Sequence, residues 1–220
     1  MQLTYLLYPG VEPIDLAPLG VFSMGRRIVP ELSYRTVAVG NNAIKLSNGL
    51  NLLPDMALEE VDTVDVLMVP GGPGWKDAAQ DADLIAFIRK WAPSATLCSL
   101  CTGSMILAAA GVLDGLAATT KCVVVPPEES PLEELGREYP DVRSTHALLV
   151  DNGSIITGGG VSLCIDTTFY LIAKRYGEAA AQEIARIMEY KAAYAANVAR
   201  LPIVAGDTLS ELKGRKRQDR

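Results

Sequence analysis

Residues 64–69 (VDVLMV) are apolar but for Asp65 and run straight into Pro70-Gly71-Gly72-Pro73-Gly74, which narrows the possible folds more than any other feature of the chain. Side chains alternate between the two faces of a strand, so a run that is apolar at successive positions must be covered on both faces. Strands of that kind lie in parallel sheets between layers of helices. The rest of the chain supplies the parts. Apolar runs at 2–8, 33–39 and 95–100 alternate with helical periodicity at 15–28, 83–91 and 102–110. Asn48-Gly49 and Asp151-Asn152-Gly153 mark hairpin turns, the second joining 147–150 to 154–157. Pro126, Pro127 and the acids up to Glu134 read as a surface excursion, and two more helices are expected over 161–175 and 177–193. The expectation is one α/β domain over residues 1–200 and a charged, solvated tail over 201–220 ending ELKGRKRQDR.

The 20 basic and 26 acidic residues leave a net charge of −6, which argues against a phosphate-binding surface and so against nucleic acid as a partner. No apolar run approaches the roughly 20 residues needed to span a bilayer. The start, MQLTYLLYPG, has neither the basic lead nor the cleavage site of a signal peptide and reads as a strand. Cys98, Cys101, Cys122 and Cys164 form no disulfide framework, and a reducing cytoplasm is the expected compartment.

The chemistry concentrates in TLCSLCTGSMILAAAG. An apolar strand ends at Leu100 and a small-residue helix begins within two residues, so Cys101 sits on a sharp turn above the C-terminal edge of the sheet, where α/β proteins place ligands. The helix N-terminus there favours a thiolate. Gly103 and Ser104 keep the turn slim, as at a nucleophile elbow. Position alone leaves Cys101 as either a reactive thiol or a small buried residue. If 70–74 follows the neighbouring parallel strand, the N–H groups of Gly72 and Thr102 are the expected donors for a developing anion. Asp15, after the first strand, is either an N-cap or a carboxyl aimed at Cys101, and the two roles are compatible. Cys98 and Cys101 are not a redox pair: on an extended strand their Cα atoms lie roughly 10 Å apart, beyond disulfide reach. Cys98 and Cys164 are expected in the core and Cys122 near the site. Gly158-Gly159-Gly160 lacks the spacing of a phosphate loop and reads as close helix-to-sheet packing.

Asp15, Pro70-Gly71-Gly72, Cys101-Thr102-Gly103-Ser104 and Ile156-Thr157-Gly158-Gly159-Gly160, in that order, resemble the ThiJ/PfpI superfamily, and within it the isonitrile hydratase branch. The resemblance implies a flavodoxin-like three-layer sandwich of the class I glutamine amidotransferase type, with a mostly parallel sheet and helices on both faces. It implies a small-molecule substrate, no metal or organic cofactor, and a homodimer, for which Leu19, Val21 and Phe22 are expected as exposed apolar residues. The roles it implies are Cys101 as nucleophile, Asp15 as acidic partner and Thr102 beside them. There are departures. Relatives usually carry Asp-Leu-Thr-Gly-Pro where this chain has Asp15-Leu16-Ala17-Pro18-Leu19-Gly20. Many members place His after the cysteine, where this chain has Thr102. Ala-Thr-Thr-His-Trp of the hydratase branch reads Ala118-Thr119-Thr120-Lys121-Cys122, so Lys121 either lines the pocket as a positive charge or is simply exposed. The lone His146 is expected in a surface or structural role. These departures weaken an amidase or protease reading and leave two others, an isonitrile-hydrating enzyme and a ligand- or redox-sensing domain.

Overall fold

The computed structural model describes residues 1–206, so the last residues of the expected tail, ELKGRKRQDR, lie outside the described residues. The strands, in chain order, are β1 (Gln2–Leu6), β2 (Ser33–Ala38), β3 (Ile44–Lys45), β4 (Asn51–Leu52), β5 (Met56–Ala57), β6 (Val66–Val69), β7 (Thr96–Ser99), β8 (Ala117–Ala118), β9 (Arg143–Ser144), β10 (Leu149–Asp151), β11 (Ile155–Gly158) and β12 (Ile203–Ala205). The helices are α1 (Ala17–Gly25), α2 (Trp75–Ala78), α3 (Ala82–Trp91), α4 (Gly103–Ala109), α5 (Pro131–Glu138), α6 (Leu163–Tyr176), α7 (Glu178–Ile187) and α8 (Lys191–Arg200). Eight strands form the main sheet in the order β12-β10-β11-β7-β6-β1-β2-β5, parallel except where β10 meets β11.

Each face of the sheet carries its own core. Leu97 of β7 packs with Leu84, Ile88, Met105 and Leu135 from α3, α4 and α5, whereas Cys98, next along the strand, packs with Phe22, Phe169 and Ile184 from α1, α6 and α7. This is the three-layer α/β sandwich expected. Fully burying a side chain such as Phe169 contributes about 1.5–3 kcal/mol, and here its ring also lies 5.8 Å from Tyr190 and 5.3 Å from Tyr194. Among the described residues no helix is long and apolar enough to cross a membrane.

Register sets up the site. Tyr5 pairs with Met68, Val69 with Ser99 and Thr157 with Ser99, so β1, β6, β7 and β11 end side by side and their four following loops meet above one edge.

Three local expectations need correction. The helix expected from Asp15 opens instead as a 3-10 turn at Pro13–Leu16, and α1 begins only at Ala17, with Pro18 in its first turn where a missing N–H costs nothing. Val21 and Phe22, expected to be exposed, are fully buried against the sheet. The helix expected over 177–193 breaks at Glu189, whose φ of 56° is left-handed. That break turns α8 back so that Tyr190 OH (3.1 Å) and Asn197 Nδ2 (3.1 Å) donate to the buried carboxylate of Asp166. The solvated tail expected from residue 201 is corrected too: beyond Pro202 the chain adds β12 to the sheet, parallel to β10.

Candidate active site

Cys101 occupies the turn between β7 and α4 with φ of +51°. A non-glycine residue held left-handed costs on the order of 1–3 kcal/mol, so the surroundings must hold it there. They do so through the backbone. The Cys101 N–H donates to Gly159 O (3.2 Å), and the Cys101 carbonyl accepts from Thr120 Oγ1 (2.8 Å) and Ser104 Oγ (3.3 Å). Two glycines let the neighbouring loops close in. A Cβ on Gly103 would lie 2.1 Å from the Val69 carbonyl oxygen, and one on Gly71 would lie 2.5 Å from the Thr102 nitrogen and 2.7 Å from Cys101 Cβ.

Asp15 contacts the same glycine, Gly71. Its Oδ2 accepts from the Gly71 N–H at 2.7 Å, while Oδ1 is buried with no hydrogen-bond partner. The side chain caps no helix. Tyr5 OH donates to the Asp15 carbonyl, and Tyr8 OH donates to Pro70 O at 2.8 Å, so two buried phenols pin the loop that carries the acid and the loop that carries Gly71. Burial pushes the Asp15 carboxyl up to about 7; the Gly71 N–H opposes that rise and the nearby Glu12 charge adds to it.

The Cys101 side chain is only 4 % exposed. Burial, then the Asp15 charge, pushes its thiol up to about 12, against hydrogen bonds from the N–H groups of Val161 and Thr102 and the charge of Lys121. The thiolate-favouring effect expected of a helix N-terminus is therefore present but outweighed by desolvation. Cys101 is held as a thiol beside a carboxyl that titrates near neutrality.

The expected donor pair also changes. The Gly72 N–H is committed to Thr102 Oγ1 at 2.9 Å, and the Thr102 hydroxyl faces Gly72 O at 3.3 Å, so Thr102 clamps the glycine turn to the elbow. The amides directed at sulfur are those of Thr102 and Val161. Lys121 is not free: its ammonium pairs with Glu128, and its stem packs on Gly160, where a Cβ would meet Lys121 Cα at 2.8 Å. Above the sulfur is a pocket of about 240 Å³ walled by Ile14, Pro73 and Val161, with Glu12, Lys121 and Glu128 as its charged members. Cys98 and Cys164 are buried in the core, as expected. Half-buried Cys122 and exposed His146 line an adjoining cavity of about 200 Å³ that shares Lys121 and Val161. Among the described residues no cluster of three or more His, Cys, Asp or Glu is arranged to hold a metal ion.

Residues 5–174 match the DJ-1/PfpI family along their whole length. The chain belongs to that family. It is 32 % identical over 198 residues to the isonitrile hydratase of Pseudomonas putida, covering 86 % of this chain and 78 % of the relative. It is 29 % identical over 183 residues to the HTH-type transcriptional regulator CdhR of Pseudomonas aeruginosa, but there it spans only 52 % of the relative's length. A THiJ/PfpI family protein from Pseudomonas syringae has the same fold, with a TM-score of 0.71 and 27 % identity over 86 % of this chain and 74 % of that one.

Sequence reasoning about this DJ-1/PfpI chain missed Val161, Thr120, Glu12 and Glu128. Val161 is β-branched yet has φ of 56°, a conformation its residue type argues against. Thr120 left a faint signal, as a hydroxyl residue placed one position before the anomalous Lys121.

Proposed function

We propose that this protein hydrates an isonitrile to an N-substituted formamide through a covalent Cys101 adduct. The observation that carries the reading is the Asp15 carboxyl, which has one oxygen fixed by Gly71 and the other buried and unpartnered, with Cys101 packed against the same glycine. The 32 % identity to an isonitrile hydratase supports the choice of substrate.

As the Cys101 sulfur bonds to the terminal isonitrile carbon, its proton passes to the Asp15 carboxylate. The carbon then takes that proton from Asp15, leaving the thioimidate Cys101–S–CH=N–R. Water adds across the C=N bond. Collapse of the adduct breaks the C–S bond, returns a proton to sulfur and releases R–NH–CHO. The Thr102 and Val161 amides stabilise charge on sulfur throughout, and Thr102 Oγ1 holds the Gly72 turn in place. A carboxyl near 7 is a stronger base than an ordinary aspartate and is still half ionised at neutral pH. No histidine is required, which suits a chain whose His146 lines a different cavity.

The similarity to CdhR supports a second reading, a ligand-sensing domain that uses the same pocket without turnover. Purified protein incubated with cyclohexyl isonitrile, without metal or nucleotide, separates the two. Formation of N-cyclohexylformamide, lost in Cys101→Ala, supports the enzyme. No formamide from several isonitriles favours the sensor, and formamide from Cys101→Ala refutes the covalent route.

A further inference from the structure

We propose that the pocket above Cys101 selects substrates with a cationic substituent, and that Glu12 on its wall makes the selection. This rests on the reading of Cys101 as the reacting group and adds a substrate class to it. Three charged side chains line the pocket. Lys121 and Glu128 neutralise each other as an ion pair. Glu12 is left over: its Oε2 accepts from Ser47 Oγ at 2.8 Å, and among the described residues no cation pairs with it.

The placement of Glu12 is built in. Its N–H donates to Gly71 O at 3.0 Å, tying it to the glycine turn beside Cys101, and its carbonyl accepts from the Asp15 N–H at 2.9 Å within its own turn. Ser47 sits in the β3–β4 hairpin, which is itself fastened to the Glu12 loop by Ser47 N–H to Val11 O at 3.0 Å and Gly10 N–H to Lys45 O at 2.9 Å. The backbone that carries the carboxylate is thus fixed at the wall, and its charge is felt at Asp15. The remaining walls, Ile14, Pro73 and Val161, suit a short hydrocarbon spacer. An ammonium at the end of such a spacer meets Glu12 with a favourable charge. A carboxylate or sulfonate meets Glu12 and ionised Asp15 with an unfavourable one, and exclusion of like charge is as much a source of specificity as attraction.

The test uses charge-graded thiol reagents and needs no turnover. The 2-(trimethylammonio)ethyl, 2-hydroxyethyl and 2-sulfonatoethyl methanethiosulfonates share one reaction. The Cys101 sulfur bonds to the reagent's thiol sulfur, the reagent's S–S bond breaks, methanesulfinate leaves and the thiol proton goes to solvent. Peptide mass spectrometry reads the rate at Cys101 alone, and each rate is divided by that of the same reagent with a small free thiol. The cationic reagent should exceed the anionic one by about tenfold at low salt, with the ratio falling towards one near 1 M salt as the charges are screened. Glu12→Gln should remove most of the ratio, and Lys121→Met should raise it. A wild-type ratio at or below one, or a ratio unchanged in Glu12→Gln, overturns the proposal even if isonitriles are hydrated. A ratio that behaves as stated in a protein inactive on isonitriles supports the proposal and sinks only the hydratase reading. A Cys101 inert to all three reagents overturns both.

Discussion

Replacing Asp15 with asparagine tests the buried carboxyl through stability as well as rate. A carboxyl that moves from 3.8 in the unfolded chain to about 7 in the fold binds its proton more tightly when folded. Its contribution is therefore fully present below the unfolded value and is lost as pH rises through the folded one. Integrated over the whole window the loss is about 4 kcal/mol, of which about 2.5 kcal/mol falls between pH 5 and pH 8. Asparagine keeps the shape, and with its carbonyl accepting from the Gly71 N–H it puts an amide NH2 where Oδ1 has no partner, a cost of about 1–3 kcal/mol at every pH. Relative to wild type, Asp15→Asn should thus gain about 2.5 kcal/mol in stability between pH 5 and pH 8, whatever the offset at pH 5. Urea unfolding across that range gives the difference directly. The same variant should lose on the order of 100-fold or more in kcat/KM on an isonitrile, and with it the rise in rate through about pH 7 that a carboxylate base imposes. A stability difference that stays constant from pH 5 to pH 8 would refute a carboxyl that is neutral in the fold, and the acid–base role would fall with it.

Thr120→Val removes the shorter of the two side-chain hydrogen bonds to the Cys101 carbonyl, so it should cost about 1 kcal/mol in urea unfolding. It should also lower kcat more than it raises KM, because the strained elbow loses a support rather than a substrate contact; a change in KM alone would argue against that. We also predict a homodimer in solution: light scattering should give the mass of two chains, and one chain at micromolar concentration would contradict it.

The layers of this fold were legible because burial writes a direct pattern into strands. Residues 64–69 read as a doubly covered strand, of which 66–69 form one while Asp65 is exposed, and once β6 and β7 were parallel neighbours the Gly71 turn had to stand beside Cys101. The Asn48-Gly49 hairpin was readable for a local reason, the left-handed φ of +89° that glycine accepts. The break at Glu189 left no such mark. Apolar spacing runs on through it, and its cause is distant, since Asp166 in α6 needs Tyr190 and Asn197 as donors. The same division holds inside the site. Which side chains gather was visible in the order of the loops, but what each group does depends on which hydrogen bonds are already taken. The Gly72 N–H looked free until Thr102 Oγ1 was found to occupy it, and the amide that replaces it belongs to Val161, whose backbone conformation its residue type disfavours. The state of the thiol lay deeper still. A helix N-terminus lowers a thiol and burial raises it, and only the packing of β6, β7 and β11 around Cys101 decides that burial wins. Under the proposed reaction, that outcome moves the demand for catalysis from the cysteine to Asp15. A thiol near 12 needs a base at hand, and the carboxyl that the same burial has lifted to about 7 is the group beside it able to act as one.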